Sequence, residues 1–185
     1  GISCHIGSLV ESTAPYMSEI EVLSVFVNEL LDRGIALKHF DIGGGAGVAY
    51  KTDEKTLDPS ELIPAVVAQI RSLVKIPDIE ILIEPGRSII AQAGVLLTRV
   101  EYLKSGLFER NFCVVDASMT ELVRPAMYGS YHEIEPVSPR SDIEPECLNI
   151  VGGVCESSDI LGSDRELAVA PGDLLAIRTA GAYGM

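Results

Sequence analysis

Residues 36–47, ALKHFDIGGGAG, decide the fold of the first half of the chain. The run ALKHFDI is short and largely apolar, as expected for a buried strand, and the three glycines that follow it are typical of a tight loop. Apolar residues recur at helical spacing from Ala14 to Arg33, before this strand. After it, DPSELIPAVVAQIRSLVK begins with Asp58 as the predicted N-cap and Pro59 at the first helical position. Helix and strand therefore alternate.

Two more short strands are predicted in this half, GISCHIGS at residues 1–8 and IEILIEPG at residues 79–86. The second is apolar on both faces, and such strands, joined by helices, form parallel sheets that are covered on both sides. Three such units in about ninety residues predict part of a barrel or of a doubly wound sheet. In the second helix, Glu61 would complete a capping box, and Pro64 requires the helix to start close to it.

The second half has a different pattern. Its β-type runs are short, clusters of Pro, Gly, Ser and Asp separate them, and no long helix is predicted between them. The runs are GVLLTRVEYLK, FCVVDA, HEIEPV, NIVGGVC and DLLAIRTAGAYG. We therefore predict an α/β part at residues 1–93 and an all-β part at residues 94–185.

Composition excludes several classes of function. The net charge of -13 makes nucleic-acid binding a poor interpretation, because phosphate recognition needs a basic face. No apolar run approaches the roughly 18 residues of a membrane span. Four irregularly spaced cysteines favour neither zinc nor a disulfide framework, so we expect a reducing, cytoplasmic location. The chain begins without methionine and ends in GAYGM after a strand-like run, so we expect it to be part of a longer protein.

Candidate site residues lie where predicted strands end, the place at which parallel α/β folds bind ligands. Consecutive glycines can turn their backbone N–H groups into one concavity that holds a phosphate. These glycines are Gly43, Gly44 and Gly45. The dinucleotide fingerprint is absent, since Val48 stands where its third glycine belongs. The glycines could equally form only a tight strand-to-helix turn.

Charged residues follow the other two strands of this half. Glu84 and Arg87 come after an apolar strand, and they form either a binding site or a structural ion pair at the strand end. His5, between Cys4 and Ile6, has the usual pattern of a hydrogen-bonded core histidine.

The second half contains two further candidates. Arg124 and Tyr128 are spaced i to i+4, so they could share one face of a turn as a binding pair or as a simple Arg–Tyr stack. Cys155 directly precedes Glu156. A thiol close to a carboxylate and a phosphate can act as a proton donor, and the alternative is a buried cysteine beside a glutamate at the surface.

Taken together and in order, these segments resemble the diaminopimelate decarboxylases. The similar segments are GISCHIGS, FDIGGGAGVAY, IEPGRSIIAQAGVLLTRV, VVDASMTELVRPAMYGSYHEIEPV, VGGVCESSDIL and GDLLAIRTAGAYGM. That family uses pyridoxal 5′-phosphate, has the alanine-racemase-like fold and makes lysine. The resemblance implies the last βα units of a (β/α)8 TIM barrel followed by part of an all-β C-terminal domain.

The resemblance also implies a cofactor role for each matched residue of the first half. His5 would stack on the pyridine ring and Glu84 would pair with the pyridine nitrogen, which keeps the ring an electron sink. The residues implied at the phosphate are Ser8, Gly43, Gly44, Gly45, Gly86 and Arg87, with Arg87 also available to the substrate carboxylate.

The matched residues of the second half are implied to bind substrate. Arg124 and Tyr128 would hold the distal, amino-acid end of diaminopimelate, and Tyr183 would lie against cofactor and substrate. Cys155 would protonate the substrate carbon after carbon dioxide leaves, while Glu156 would contact the substrate amine. In this family these last two residues cross the interface of a homodimer.

One departure from the family's sequence pattern limits the activity that the resemblance implies. The family's cofactor lysine belongs to an earlier strand, and none of the lysines here matches its motif. We therefore expect a portion of the enzyme that is inactive by itself. Two alternatives stay open: a related decarboxylase of arginine, ornithine or carboxynorspermidine, and a regulatory homologue without catalysis.

Overall fold

The structure, a computed structural model, describes residues 1–106 and 110–184. Met185, the last residue of the GAYGM segment, lies outside them. The chain divides into two compact units. The first comprises Gly1–Ala49 and Glu54–Ile89, and the second comprises Tyr50–Asp53 with the described residues from Ile90 onward. Among the described residues, every helix is too short or too polar to traverse a lipid bilayer.

The first unit is built on three parallel strands in the order β1-β2-β3. Helices α1 and α2 make the two connections between them, which confirms the predicted alternation and the parallel pairing. The elements are β1 (Ile2–Ser3), α1 (Ala14–Asp32), β2 (His39–Asp41), α2 (Pro59–Leu73), β3 (Glu80–Leu82) and the short α3 (Arg87–Ile90).

The ends of both long helices have local causes. Gly34, at φ +83°, follows α1 and donates its N–H to the carbonyl of Leu31 at 2.8 Å. At the start of α2, Asp58 Oδ1 accepts from the N–H of Ser60 at 2.7 Å. Pro64 lies inside α2 and beyond its first turn. The helix thus starts at Pro59 as the cap predicts, and Pro64 does not move that start.

The core of the first unit lies between the helices and the middle of the sheet. Phe40 and Ile42 in and after β2 are buried, as are Ile20 of α1 and Ile70 of α2. The predicted covering of β3 on both faces is wrong. Leu82 and the adjacent Ile83 are 37% and 42% exposed, and among the described residues β3 is an edge strand that pairs only with β2.

The second unit is a six-stranded sheet in the order β6-β9-β4-β5-β7-β8. Its pairs are antiparallel except β5 with β7. The elements are a 3-10 turn (Ala91–Ala93), β4 (Leu96–Ser105), β5 (Asn111–Val115), α4 (Arg124–Tyr128), β6 (Ile134–Pro136), β7 (Glu146–Val151), β8 (Ile160–Leu167) and β9 (Leu174–Ile177). All-β architecture apart from these short helices is as predicted.

Two details of the second half were predicted wrongly. The run NIVGGVC is not one strand, because β7 ends at Val151 and Cys155 lies in the loop that follows. Strand β8 was not among the predicted runs, and its residues 163–166 are polar. Pairing with β7 stabilises this polar segment as a strand all the same.

One face of the six-stranded sheet forms the core of the second unit. Val100 of β4, Leu148 and Ile150 of β7 and Leu175 of β9 are almost completely buried. The edge strands β6 and β8 contact each other, so the sheet curves around this core.

Truncation of a core leucine should destabilise the second unit. We expect Leu148→Ala, at a side chain that is 1% exposed, to cost about 2–5 kcal/mol of unfolding free energy through lost burial and a cavity. The matched control is Leu97→Ala on β4, where the side chain is 56% exposed and the cost should stay within about 0.5 kcal/mol. Urea unfolding of the full-length variants measures both, and equal costs would contradict this assignment of the core.

Candidate functional site

The glycine loop after β2 is held between the ends of β1 and β3. A Cβ atom on Gly43, Gly44 or Gly45 would overlap the carbonyl oxygens of Cys4, Glu84 and Gly7, respectively. Gly43 and Gly45 also have positive φ, at +67° and +98°. The tight-turn interpretation therefore explains the three glycines, and the same packing gathers three strand ends at one place.

Two of the three loop amides already donate within the chain. The Gly43 N–H donates to Asp41 Oδ1 at 2.8 Å, and the Gly44 N–H donates to His5 Nδ1 at 3.3 Å. Within residues 1–106 and 110–184, the Gly45 N–H has no recorded acceptor. An anion at this loop would thus meet one backbone donor rather than the three that the glycine pattern suggests.

His5 is not a core histidine, because its side chain is exposed at the end of β1. Its Nδ1 accepts from Gly44, so the neutral ring carries its proton on Nε2. The contact places the ring beside the glycine loop, where the side chain stays exposed.

The other predicted residues of the first unit also lie at the carboxyl ends of its strands. Glu84 is exposed, and its N–H donates to the carbonyl of Gly43 at 2.7 Å. The Gly86 carbonyl accepts from the N–H of Ile89 at 3.1 Å in the first turn of α3. Arg87 is 6% exposed and donates from Nη2 to Ser8 Oγ at 3.0 Å. A hydroxyl, a guanidinium and a carboxylate therefore surround the glycine loop.

A buried acidic group beneath this loop was missed by the sequence reasoning. Glu19 of α1 is 7% exposed, and burial raises the pKa of its carboxyl. The nearby Glu19 carboxyl, and then burial, raise the pKa of the Cys4 thiol. Burial also raises the pKa of Tyr16, whose hydroxyl donates to the Gly44 carbonyl at 2.9 Å. An acidic residue on the apolar face of α1, next to Ile20, was the signal available in the sequence.

The predicted substrate residues of the second unit form a cluster around Arg124. Its guanidinium carbon lies 5.3 Å from the ring centroid of Tyr128 and 5.9 Å from that of Tyr183. Arg124 is 9% exposed and donates from Nη2 to Ser130 Oγ at 3.2 Å, whereas the two rings are 66% and 59% exposed. The predicted Arg–Tyr stack is therefore present. Its guanidinium is nearly buried, whereas both aromatic rings are exposed.

Tyr183 joins this cluster from a strained backbone, with φ +56°. Positive φ in a non-glycine residue is costly and persists where the surrounding structure demands it. Here the strained backbone places the ring of Tyr183 beside the guanidinium of Arg124.

Cys155 and Glu156 lie in the loop between β7 and β8, and both are exposed. The alternative of a buried cysteine is therefore wrong. Cys4, Cys113 and Cys147 are free thiols as well, and burial raises the pKa of Cys113 to about 11. The structure leaves Cys155 accessible on a loop that does not belong to the Arg124 cluster. Histidine, cysteine and acidic side chains of the described part of the chain form no group that could hold a metal ion.

Comparisons with known proteins agree with this arrangement. Residues 13–181 match the family described as pyridoxal-dependent decarboxylase, C-terminal sheet domain. Diaminopimelate decarboxylase of Neisseria meningitidis serogroup A is 46% identical over 184 residues, which cover 100% of this chain and 44% of that protein. The chain thus spans less than half the length of this relative.

Solved structures give the same result. The diaminopimelate decarboxylase of M. jannaschii is 38% identical with a TM-score of 0.92, over 100% of this chain and 42% of that one. The Helicobacter pylori diaminopimelate decarboxylase complexed with L-lysine is 37% identical with a TM-score of 0.87, over 98% of this chain and 44% of that one.

Neutralising Glu19 should change how stability depends on pH. A carboxyl whose pKa is raised by folding favours the protonated state, so wild-type stability falls as pH rises above its unfolded value of 4.5. Glu19→Gln removes this dependence. We expect its melting temperature to exceed that of wild type increasingly above about pH 4.5 and to approach it below.

The control for this change is Glu21→Gln on the exposed face of the same helix. Thermal unfolding of the full-length proteins across this pH range measures the difference. Parallel curves for wild type and Glu19→Gln would show that the Glu19 carboxyl is not shifted.

Proposed function

The chain belongs to the pyridoxal-dependent decarboxylases, and from that premise we propose that the full-length protein converts meso-2,6-diaminopimelate to L-lysine and carbon dioxide. The observation that carries this choice of substrate is the Arg124 cluster. The names of the similar proteins, diaminopimelate decarboxylases at 38% to 46% identity over the whole chain, support it.

A nearly buried guanidinium is suited to a carboxylate. Arg124 presents planar N–H donors that match two carboxylate oxygens, and the rings of Tyr128 and Tyr183 lie 5.3 and 5.9 Å from its guanidinium carbon. Diaminopimelate has a second amino-acid end with a carboxylate, whereas ornithine and arginine end in a cationic group. A cation beside Arg124 would be repelled, which disfavours those alternatives.

Residues of the first unit fit pyridoxal 5′-phosphate as the cofactor. The Ser8 hydroxyl, the Gly45 N–H and the Arg87 guanidinium are donors for a phosphate, with Gly43 and Gly44 keeping the backbone close. Gly86, directly before Arg87, is proposed to lie at the phosphate as well. The exposed His5 ring supplies a face for stacking, and the exposed Glu84 carboxylate supplies an acceptor for a pyridinium N–H. When bound, the cofactor supplies an electron sink for the bonding pair of the departing carboxylate.

Cys155 is proposed as the proton donor. The bond from Cα to the carboxylate breaks, carbon dioxide leaves, and Cα takes the proton of the Cys155 thiol, which regains one from water. Glu156 offers its carboxylate to the substrate ammonium group. Exposure of both side chains on a loop suits delivery into the active site of a second subunit, so we propose a homodimer with shared sites.

The two units are proposed to be parts of larger domains. The parallel sheet would belong to the last βα units of a (β/α)8 barrel at residues 1–93, and the six-stranded sheet to a C-terminal β domain at residues 94–185. Four free thiols suit a reducing cytoplasm.

Substitution of Cys155 should slow turnover without loss of cofactor. We expect Cys155→Ala to lower kcat by about 100-fold or more, because a positioned acid contributes that much to a proton transfer. The measurement is carbon dioxide release by the full-length enzyme, with cofactor content from its absorbance. Cys147→Ala, at another exposed cysteine of the same unit, is the control and should retain the wild-type rate. A wild-type rate for Cys155→Ala would remove the thiol from the reaction.

A substrate panel combined with a variant of Arg124 tests the proposed function directly. The full-length protein should release carbon dioxide from meso-diaminopimelate and not from arginine, ornithine or carboxynorspermidine. Arg124→Gln should raise KM for diaminopimelate by about 10-fold or more, the loss expected for a charge-assisted pair.

Inhibitors separate this binding role from a general loss of structure. Arg124→Gln should weaken inhibition by L-lysine, which keeps the carboxylate, and should not weaken inhibition by cadaverine, which has no carboxylate and places only a cationic group at that end. Arg178→Gln, at an exposed arginine paired with Glu135, is the control. Preference for another amino acid in the panel would refute the proposed substrate.

A further inference from the structure

The loop of residues 152–159 between β7 and β8 contains one buried charged side chain. Its other polar residues, including Cys155 and Glu156, are largely open to solvent, whereas Asp159 is 4% exposed. A buried carboxylate needs hydrogen-bond donors to offset its lost hydration. The partners of Asp159 therefore show what the residue does.

Each oxygen of Asp159 accepts from a different segment. Oδ2 accepts from the N–H of Val154 at 2.8 Å, directly before Cys155 in the chain. Oδ1 accepts from the N–H of Met119 at 2.6 Å, in the turn that follows β5. Backbone bonds close the loop, since the Asp159 N–H donates to the carbonyl of Glu156 at 3.0 Å and the Gly152 N–H donates to the Asp159 carbonyl at 3.2 Å.

The turn that donates through Met119 is itself well braced. Glu121 Oε2 accepts from the N–H and the hydroxyl of Ser118, both at 2.8 Å. The N–H of Leu122 donates to the carbonyl of Ser118 at 3.1 Å, and α4 begins two residues later with Arg124. Asp159 thus connects the Cys155 loop to a fixed turn that leads into the substrate-binding helix.

Gly152 is required for this contact. A Cβ atom at Gly152 would overlap Asp159 Oδ2 and lie 2.7 Å from the carbonyl oxygen of Ala117. The next residue, Gly153, has nothing within 4 Å of the corresponding position. A methyl group at Gly152 would therefore displace the Asp159 carboxylate, whereas a methyl group at Gly153 would contact no atom of the described residues beyond its chain neighbours.

We infer that Asp159 is a positioning residue, whose carboxylate holds the loop so that Cys155 presents its thiol at one fixed place. The inference rests on the proposed function for the role of Cys155 and not for the hydrogen bonds themselves. Charge-assisted bonds to two backbone amides are strong enough to order a short loop. Because the same carboxylate holds the turn before α4, displacement of the loop would also disturb the approach to Arg124.

The experiment compares Asp159→Asn and Gly152→Ala in the full-length holoenzyme. An asparagine has one acceptor oxygen, so it loses one of the two anchoring bonds, and the alanine displaces the carboxylate without changing it. We expect kcat to fall about 10-fold or more in both. Turnover in D2O should place deuterium on the carbon that lost the carboxylate, which is Cε of L-lysine, with mixed configuration, whereas wild type gives one configuration.

Gly153→Ala and Asp173→Asn are the controls. Asp173 also accepts a backbone N–H, from Ala170 at 2.8 Å, but it lies in the turn before β9. Both controls should keep the wild-type rate within about twofold and one deuterium configuration. Retention of rate and configuration in Asp159→Asn, even with a lowered melting temperature, would overturn the positioning role.

Hydrogen exchange gives a readout that needs no activity, and its wild-type measurement needs no variant. In the wild-type protein the amides of Val154 and Met119 should be protected, and in Asp159→Asn at least one should exchange about 10-fold faster or more. Fast exchange of both amides in wild type would overturn the anchor. Absence of diaminopimelate decarboxylation in wild type would instead refute the proposed function, while the exchange result still decides the anchor.

Discussion

Close packing of backbone against backbone at Gly43, Gly44 and Gly45 is the constraint on which the first unit depends. At each of these glycines, a Cβ atom would overlap a carbonyl oxygen from the end of a neighbouring strand. The loop is therefore pressed between the residues that follow β1 and β3. That packing brings His5, Ser8, Glu84 and Arg87 together at the carboxyl ends of the strands of a small parallel sheet.

The candidate site residues differ in how they are held, and the difference follows their chemistry. Arg124 is nearly buried between tyrosine rings, which suits selective pairing with a carboxylate in a region of low polarity. Cys155 is exposed on a loop, which suits the proton-donor role proposed for it. A mobile donor would be inefficient. In the positioning role inferred for Asp159, its buried carboxylate holds the exposed Cys155 loop in place through hydrogen bonds to the backbone.

Much of the fold was predictable because local patterns agreed with tertiary demands. The extent of α1, the N-cap of α2 and the alternation of strands and helices followed from residue types at fixed spacings. Strand β8 was not predictable in this way, since a polar segment becomes a strand only when β7 supplies its partner. Exposure of β3 was also missed, because periodicity reports which residues are apolar and not which neighbours cover them.

The sequence by itself determined the chemical groups of the candidate site and their order along the chain, because motifs such as EPGR, RPAMY and CESSD specify side chains directly. Only the tertiary structure decided their environments. It exposed His5 and Cys155, for which burial was the alternative interpretation, and it buried Glu19 and Asp159, which no motif singled out. The physical reason is that burial and hydrogen-bond partners come from segments distant in sequence, such as Met119 for Asp159, and a linear pattern does not contain those contacts.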